Sequence, residues 1–275
     1  MAVAGRKAMG QVGFGLGLGL LMAPTIFFFY WMISLSLKTD VDNLAYPPVL
    51  LPRVLTLANY VYVFANSHLL RFAVNSLIVA VASTGLALVL GIPAGYGIAR
   101  SRRYGTALLI LVARITPALS YLIPWFILFQ QLGLANTYLA LILTHLIIGL
   151  PLVIWVMLGF FEGVPRELED AALIDGCSRF GSFLRVAVPL TRPGIVVSGI
   201  LAFIFSWNNF IFAVVLAGPR LQTLPVAVFS MMSFEQTNWG PLAAAALLIT
   251  APVLLLTLTF QRDIVAGLAA GGMKG

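Results

Sequence analysis

Six apolar stretches, each long enough to cross a lipid bilayer, constrain this chain more than any other feature. A helix needs about 20 apolar residues to cross the hydrocarbon core. Residues 14–37, 72–99, 107–129, 138–161, 194–217 and 241–260 meet that requirement, and five of the six contain no Asp, Glu, Lys or Arg. A further stretch, 221–234, is too short to span and reads as an interfacial or re-entrant piece. Hydrophobic residues make up 61% of the chain and charged residues 9%, where soluble domains carry about 25% charged. Lipid is therefore the expected solvent, and the fold class is an all-α membrane protein with six transmembrane helices in one domain, 1–275. The first stretch follows Arg6 and Lys7. It exceeds the roughly 7–15 apolar residues of a cleavable signal, so an uncleaved anchor is expected.

The net charge is +7. In a soluble protein that excess would suggest nucleic acid. In a membrane protein it sets orientation, because Lys and Arg gather on the cytoplasmic side. With the N-terminus inside, eleven of the 16 basic residues fall on the cytoplasmic side, four outside, and Arg114 within the third stretch. Both termini, including the 261–275 tail, are expected in the cytoplasm, with lipid and no nucleic acid as the surroundings. The single cysteine, Cys177, excludes an internal disulfide.

The 162–193 loop is the longest cytoplasmic segment. It holds five of the nine acidic residues: Glu162, Glu167, Glu169, Asp170 and Asp175. Pro165 suits a first helical position, and acids at 167, 169 and 170 suit the positive end of a helix dipole. Gly176 suits a helix stop and Ser178 a second cap. Phe180, Phe183 and Leu184 share a face at helical spacing. The expected product is a helix-Gly-helix element with one apolar face. It would either rest on lipid headgroups or present its charges to a partner. The alternating Gly13, Gly15, Gly17 and Gly19 lack the strand and the Lys-Ser/Thr of a phosphate loop, and read instead as a close-packing surface.

Asp170-Ala171-Ala172, Gly176, Val186 and Val188-Pro189 resemble the EAA loop of binding-protein-dependent ABC importer permeases. That pattern runs Glu-Ala-Ala, three residues, Gly, nine residues, Ile, one residue, Leu-Pro. Asp170 stands for the Glu, Val186 for the Ile and Val188 for the Leu. Val164 to Leu168, Arg192-Pro193-Gly194, Asn75-Ser76 and the glycine-rich tail from Gln261 are similar to the carbohydrate-uptake branch, relatives of the maltose transporter's smaller permease. The resemblance implies a type I ABC importer permease fold with a cytoplasmic coupling helix. It implies a second permease subunit, two ATPase subunits and an external solute-binding protein as partners, with ATP and Mg in the ATPases and no cofactor in this chain. Coupling to the ATPase would fall to Glu167, Glu169, Asp170, Ala171, Ala172, Asp175 and Gly176.

No Gly-x-x-x-x-Gly-Lys-Ser/Thr occurs in the chain, so it carries no phosphate-binding loop of its own. No metal-ligand cluster and no nucleophile-base constellation stands out, and no catalytic residue is assigned.

For the translocation pathway, Arg114 is the first candidate, because an intramembrane charge is a functional hypothesis by default. About 10 Å inside its stretch at roughly 1.5 Å per residue, it can also snorkel towards the interface. Facing a cavity, it would favour an anionic or polyhydroxylated substrate. Asn208 and Asn209 offer hydrogen-bonding groups for a sugar or for a neighbouring helix, and the family's usual Glu is absent at Asn209. Tyr121, Trp125 and Trp207 offer aromatic faces, and Asn75 joins the candidates from the second stretch. His145, beside Thr144, reads as a packing residue. Pro93, Pro117, Pro124 and Pro151 are expected to kink their helices. The rival class is a secondary transporter, against which stands the lack of Asp or Glu in the six stretches.

Overall fold

The computed structural model describes residues 2–66, 68–115, 117–232 and 238–272, with side chains described except at 2–12, 66, 113, 114, 118 and 264–272. Among the described residues there is no strand. The helices run α1 (Ala2–Ser36), α2 (Asp40–Asn43), α3 (Ala58–Asn66), α4 (Leu69–Ser101), α5 (Tyr104–Ile115), α6 (Ala118–Gln131) and α7 (Tyr138–Glu162). They continue with α8 (Arg166–Ile174), α9 (Arg179–Ser182), a π-helical turn (Phe183–Ala187), α10 (Val188–Leu190) and α11 (Arg192–Trp207). α12 (Ile211–Leu216), α13 (Leu224–Ser230) and α14 (Trp239–Gly272) complete the order.

Four single helices are long and apolar enough to cross a membrane: Gly13–Ser36, Leu69–Ser101, Tyr138–Glu162 and Trp239–Asp263. The other two apolar stretches are each broken in two. The third stops at Ile115 and resumes at Ala118, with Pro117 between them in extended backbone, φ −56° and ψ 131°. Proline has no N–H to give and pushes the residue before it out of the helical region. The fifth stops at Trp207, and Asn208, Asn209 and Phe210 separate it from α12. Pro93, Pro124 and Pro151 lie inside α4, α6 and α7, which continue through them. The backbone of α14 leaves helical values at Phe260, where the sixth apolar stretch ends.

The chain divides into two compact units, residues 1–69 with 228–250, and residues 70–227 with 251–275. In the first, the segment after α1 folds back on the helix end. Tyr30 and Ser34 hydroxyls donate to the Leu50 carbonyl at 2.8 and 2.9 Å. The Asn59 amide donates to the Ser36 and Lys38 carbonyls at 2.9 and 2.8 Å. Lys38 is buried, donates to the Val49 carbonyl and lies 4.5 Å from the Trp31 ring centroid. Burial lowers its pKa from the ordinary 10.5, against the opposing pull of Asp42. Among the described residues, the glycines expected to form a close-packing surface meet no neighbour. A Cβ at Gly13, Gly15, Gly17 or Gly19 would meet nothing within 4 Å.

In the second unit, two apolar clusters form the core. One gathers Ala87, Val153, Met157, Phe161 and Phe183. The other gathers Phe129, Leu141, Phe212, Leu216 and Val226. α4 and α7 approach so closely that a Cβ at Gly91 would sit 2.6 Å from Val153 Cγ1. Overpacking of this kind costs about 1–3 kcal/mol. Gly91→Ala is therefore expected to lower the thermal midpoint of the purified protein, and Gly91→Ala with Val153→Ala to recover only part of the loss, because the residue-153 Cβ at 3.0 Å remains. Polar links reinforce the same packing. Ser206 Oγ lies 3.0 Å from Ser83 Oγ and 2.7 Å from His145 Nδ1, so α4, α7 and α11 share one buried network.

Candidate functional site

The 162–193 segment folds as local chemistry requires. α8 begins at Arg166, with Pro165 one residue before it and extended, so the proline precedes the helix and does not occupy its first turn. Glu167 and Glu169 sit in that first turn. At the far end Gly176 adopts φ +88°. Its N–H donates to the Leu173 carbonyl at 3.1 Å, and the Cys177 N–H to the Ala172 carbonyl at 2.9 Å. Those paired bonds form a Schellman stop, which satisfies carbonyls that the helix end would leave unpaired. A side chain in left-handed backbone costs about 1–2 kcal/mol. Gly176→Ala should loosen the stop, seen as faster hydrogen exchange at the 176 and 177 amides.

Ser178 then caps α9, its hydroxyl accepting from the Gly181 N–H at 3.0 Å. The expected second helix is not regular. A π-turn takes over at Phe183, and the Val188 N–H reaches back to the Phe183 carbonyl, five residues away. Pro189 accounts for the placement, since it cannot donate to the carbonyl four residues earlier and would crowd it. The axis then bends by 75° between Arg179–Leu190 and Arg192–Trp207. Phe183 is buried, while Phe180 is 69% exposed and Leu184 48%. The apolar face is thus divided: Phe183 joins the core and its two neighbours remain uncovered.

The acidic residues of α8 point two ways. Glu167, Asp170 and Asp175 are exposed, as are Ala171 and Gly176, and Ala172 is half-buried. Glu169 is buried. Its carboxylate accepts from Arg100 Nε at 2.8 Å and from Arg100 Nη2, and from the Tyr96 hydroxyl at 2.5 Å. Tyr96 and Arg100 lie one turn apart on α4. The sequence singles out neither for this role, Tyr96 lying within the second apolar stretch and Arg100 just beyond it. The i, i+4 pairing of Tyr and Arg at a helix end was the available signal.

The remaining candidates separate into groups. Tyr121 and Trp125 come together, ring centroids 5.1 Å apart, and both stack on Phe212, at 6.3 and 5.8 Å. This aromatic group joins α6 to α12. Asn208 is exposed and its amide donates to the Ile204 carbonyl at 3.0 Å. Asn209 Oδ1 accepts from the Phe212 N–H at 3.3 Å, reaching the first turn of α12 from one residue before its N-cap, Phe210. Trp207 is buried and stacks on Phe203 at 5.6 Å. Asn75 is buried and occupied on both sides. Its amide donates to the Arg220 and Gln222 carbonyls at 3.1 and 3.0 Å, and its carbonyl accepts from the Tyr138 hydroxyl at 2.6 Å. Asn75 therefore holds the turn before α13. Arg114 belongs to α5, and its side chain lies outside the described residues.

Comparison with known proteins places this architecture. A solved bacterial ABC transporter involved in the import of the acidic polysaccharide alginate superposes with a TM-score of 0.77 at 19% identity, over 93% of this chain and 96% of that one. The MetNI methionine ABC transporter superposes with a TM-score of 0.59 at 18% identity, over 72% and 95%. Among curated relatives, a sulfoquinovosyl glycerol transport system permease protein of Agrobacterium fabrum is 36% identical over 93% of this chain and 91% of its own length. A trehalose transport system permease protein of Mycobacterium tuberculosis is 37% identical over 89% and 91%. The profile of one family matches residues 87–268. With that match and these identities, the chain belongs to the family of binding-protein-dependent transport system inner membrane components.

Proposed function

We propose that this chain is the translocating subunit of an ATP-driven importer for a sugar or sugar derivative. The observation that carries the reading is α8: a short helix with an outward acidic face, stopped by a Schellman turn and followed at once by the bent 179–207 element. The curated relatives named for trehalose and sulfoquinovosyl glycerol support the substrate class.

In this reading the chain crosses the cytoplasmic membrane six times, through α1, α4, the α5–α6 pair, α7, the α11–α12 pair and α14, with both termini inside. It pairs with a second permease, two ATPase subunits and an external solute-binding protein. ATP and Mg act in the ATPase subunits. Their closure moves the 165–189 loop, and the bundle shifts between inward-open and outward-open states according to its differential affinity for each partner state. Asn208 and Asn209 sit on the interrupted backbone between α11 and α12, which membrane proteins tolerate where it lines a cavity, and Tyr121 and Trp125 of α6 stack on Phe212 of α12.

Reconstitution tests the reading. The chain with its permease, ATPase and binding-protein partners in liposomes should accumulate a sugar only when ATP is supplied on the ATPase side. Uptake by this chain alone, driven by an ion gradient, would overturn it. Arg114 favours a narrower second reading, in which the sugar is anionic and the guanidinium binds its acid group.

A further inference from the structure

We propose that the Arg100–Glu169 pair, closed by Tyr96, is the joint that makes α8 move as one body with α4, so that Glu169 positions the loop and does not dock on the ATPase. The inference rests on the reading of 165–189 as the coupling loop.

α8 hangs from the bundle by two turns, at 163–165 and 175–178. By chain connection alone it could swing on both. Side chains prevent that. The Arg100 fork takes Glu169 through two nitrogens, and its Nη2 also donates to the Val164 carbonyl at 3.2 Å. Arg166 returns the link, its Nη2 donating to the Arg100 carbonyl at 2.9 Å. The Ser182 hydroxyl donates to the Glu169 carbonyl at 3.4 Å. Beneath this polar layer the Phe183 ring sits 4.6 Å from Tyr96 and 6.2 Å from Phe161. The last turn of α4 is thus tied to α8, to the π-turn and to α7. Both Arg100 nitrogens reach Oε1 and the Tyr96 hydroxyl reaches Oε2, so charge-assisted bonds hold both oxygens of the carboxylate.

The next residue, Asp170, points outward. A force applied on the exposed side of α8 therefore meets a rigid connection on the buried side. Without the joint, the same force would turn α8 on its two hinges and leave α4 in place. Glu169 has no exposed surface to offer a partner comparable to that of Glu167, Asp170 or Asp175.

Removing one member alone would leave a buried charge unpaired, which is strongly destabilising in itself. The informative variant is therefore Arg100→Met with Glu169→Met, which removes both charges and keeps apolar volume. In liposomes, with the complete transporter, sugar taken up per ATP hydrolysed is the readout. We expect it to fall at least about fivefold, the lower end of coupling between linked sites. Spin labels at Ile174 and Val89, both well exposed, with Cys177 replaced by Ser, should keep one separation across nucleotide states in the parent. In the double variant the separation should change with nucleotide. An unaltered uptake-to-ATP ratio with an unaltered separation would overturn the joint. If the double variant does not assemble, Tyr96→Phe removes one oxygen only; a ratio and a separation equal to the parent's would again overturn it. Failure of the underlying reading has a different signature, namely Asp170→Arg binding the ATPase as tightly as the parent.

Discussion

Asp170→Arg is expected to leave the permease folded in the membrane and to abolish ATP-driven uptake. The reason is geometric. Asp170 occupies the exposed side of α8, next to Ala171 and one turn from Glu167, with Asp175 exposed at the helix end. In the proposed complex this surface is what the ATPase holds. Removing one partner of a desolvated charge pair at an interface costs about 2–5 kcal/mol, and reversal adds repulsion. That corresponds to roughly a 30-fold to several-thousand-fold loss of affinity at about 1.4 kcal/mol per tenfold. The helix itself should survive, because its stop lies in the 172–177 backbone bonds and its buried anchor in Glu169. Co-purification with the ATPase and ATP-dependent uptake measure the two consequences. Arg53→Asp, in the loop outside the proposed inner face, is the control and should bind the ATPase as the parent does. Normal ATPase binding by Asp170→Arg would remove α8 from the coupling interface.

The parts of this surface that were readable from sequence are those governed by local rules. Gly176 announced its left-handed backbone and Ser178 its cap, since each needs only its neighbours in the chain. The segment lengths were readable for the same reason, as hydropathy is a property of consecutive residues. The breaks were half readable. Pro117 carries a general steric cost, yet Pro93, Pro124 and Pro151 carry it too and their helices continue, so the residue type alone does not say which helix breaks. The break at Asn208 to Phe210 has no proline. There Asn209 Oδ1 takes the Phe212 N–H, and a helix of only six residues gives little pattern to read. The π-turn was hidden behind Pro189 in the same way. The Arg100–Glu169 joint was illegible for a deeper reason. Its members lie 69 residues apart, and nothing about a basic residue after an apolar stretch says which acid it meets. Glu169 looked like one of a row of solvated acids, and only its burial sets it apart from Asp170.

Arg114 carries the second large expectation. It is the single Lys, Arg, Asp or Glu in the six apolar stretches, and it lies in α5, close to the break before α6. A charge at such depth is kept only where it meets water, a counter-charge or a ligand. We propose the ligand. Guanidinium offers a planar fork that matches carboxylate, sulfonate or phosphate, whereas ammonium is a more strongly hydrated point charge. Arg114→Ala should therefore cut ATP-driven uptake of an anionic sugar by roughly 30-fold or more, taking about 2 kcal/mol or above for a lost charge-assisted pair. Uptake of a neutral sugar that the same binding protein accepts should change far less. Arg114→Lys should fall between, keeping the charge and losing the fork. The comparison separates three roles. Equal losses for neutral and anionic sugars in both variants would mean that Arg114 supports the fold and not the cargo. Normal uptake of both sugars by both variants would place it at the membrane interface, away from the path. Only a loss confined to the anionic sugar, graded from Ala to Lys, fits a guanidinium that meets the substrate.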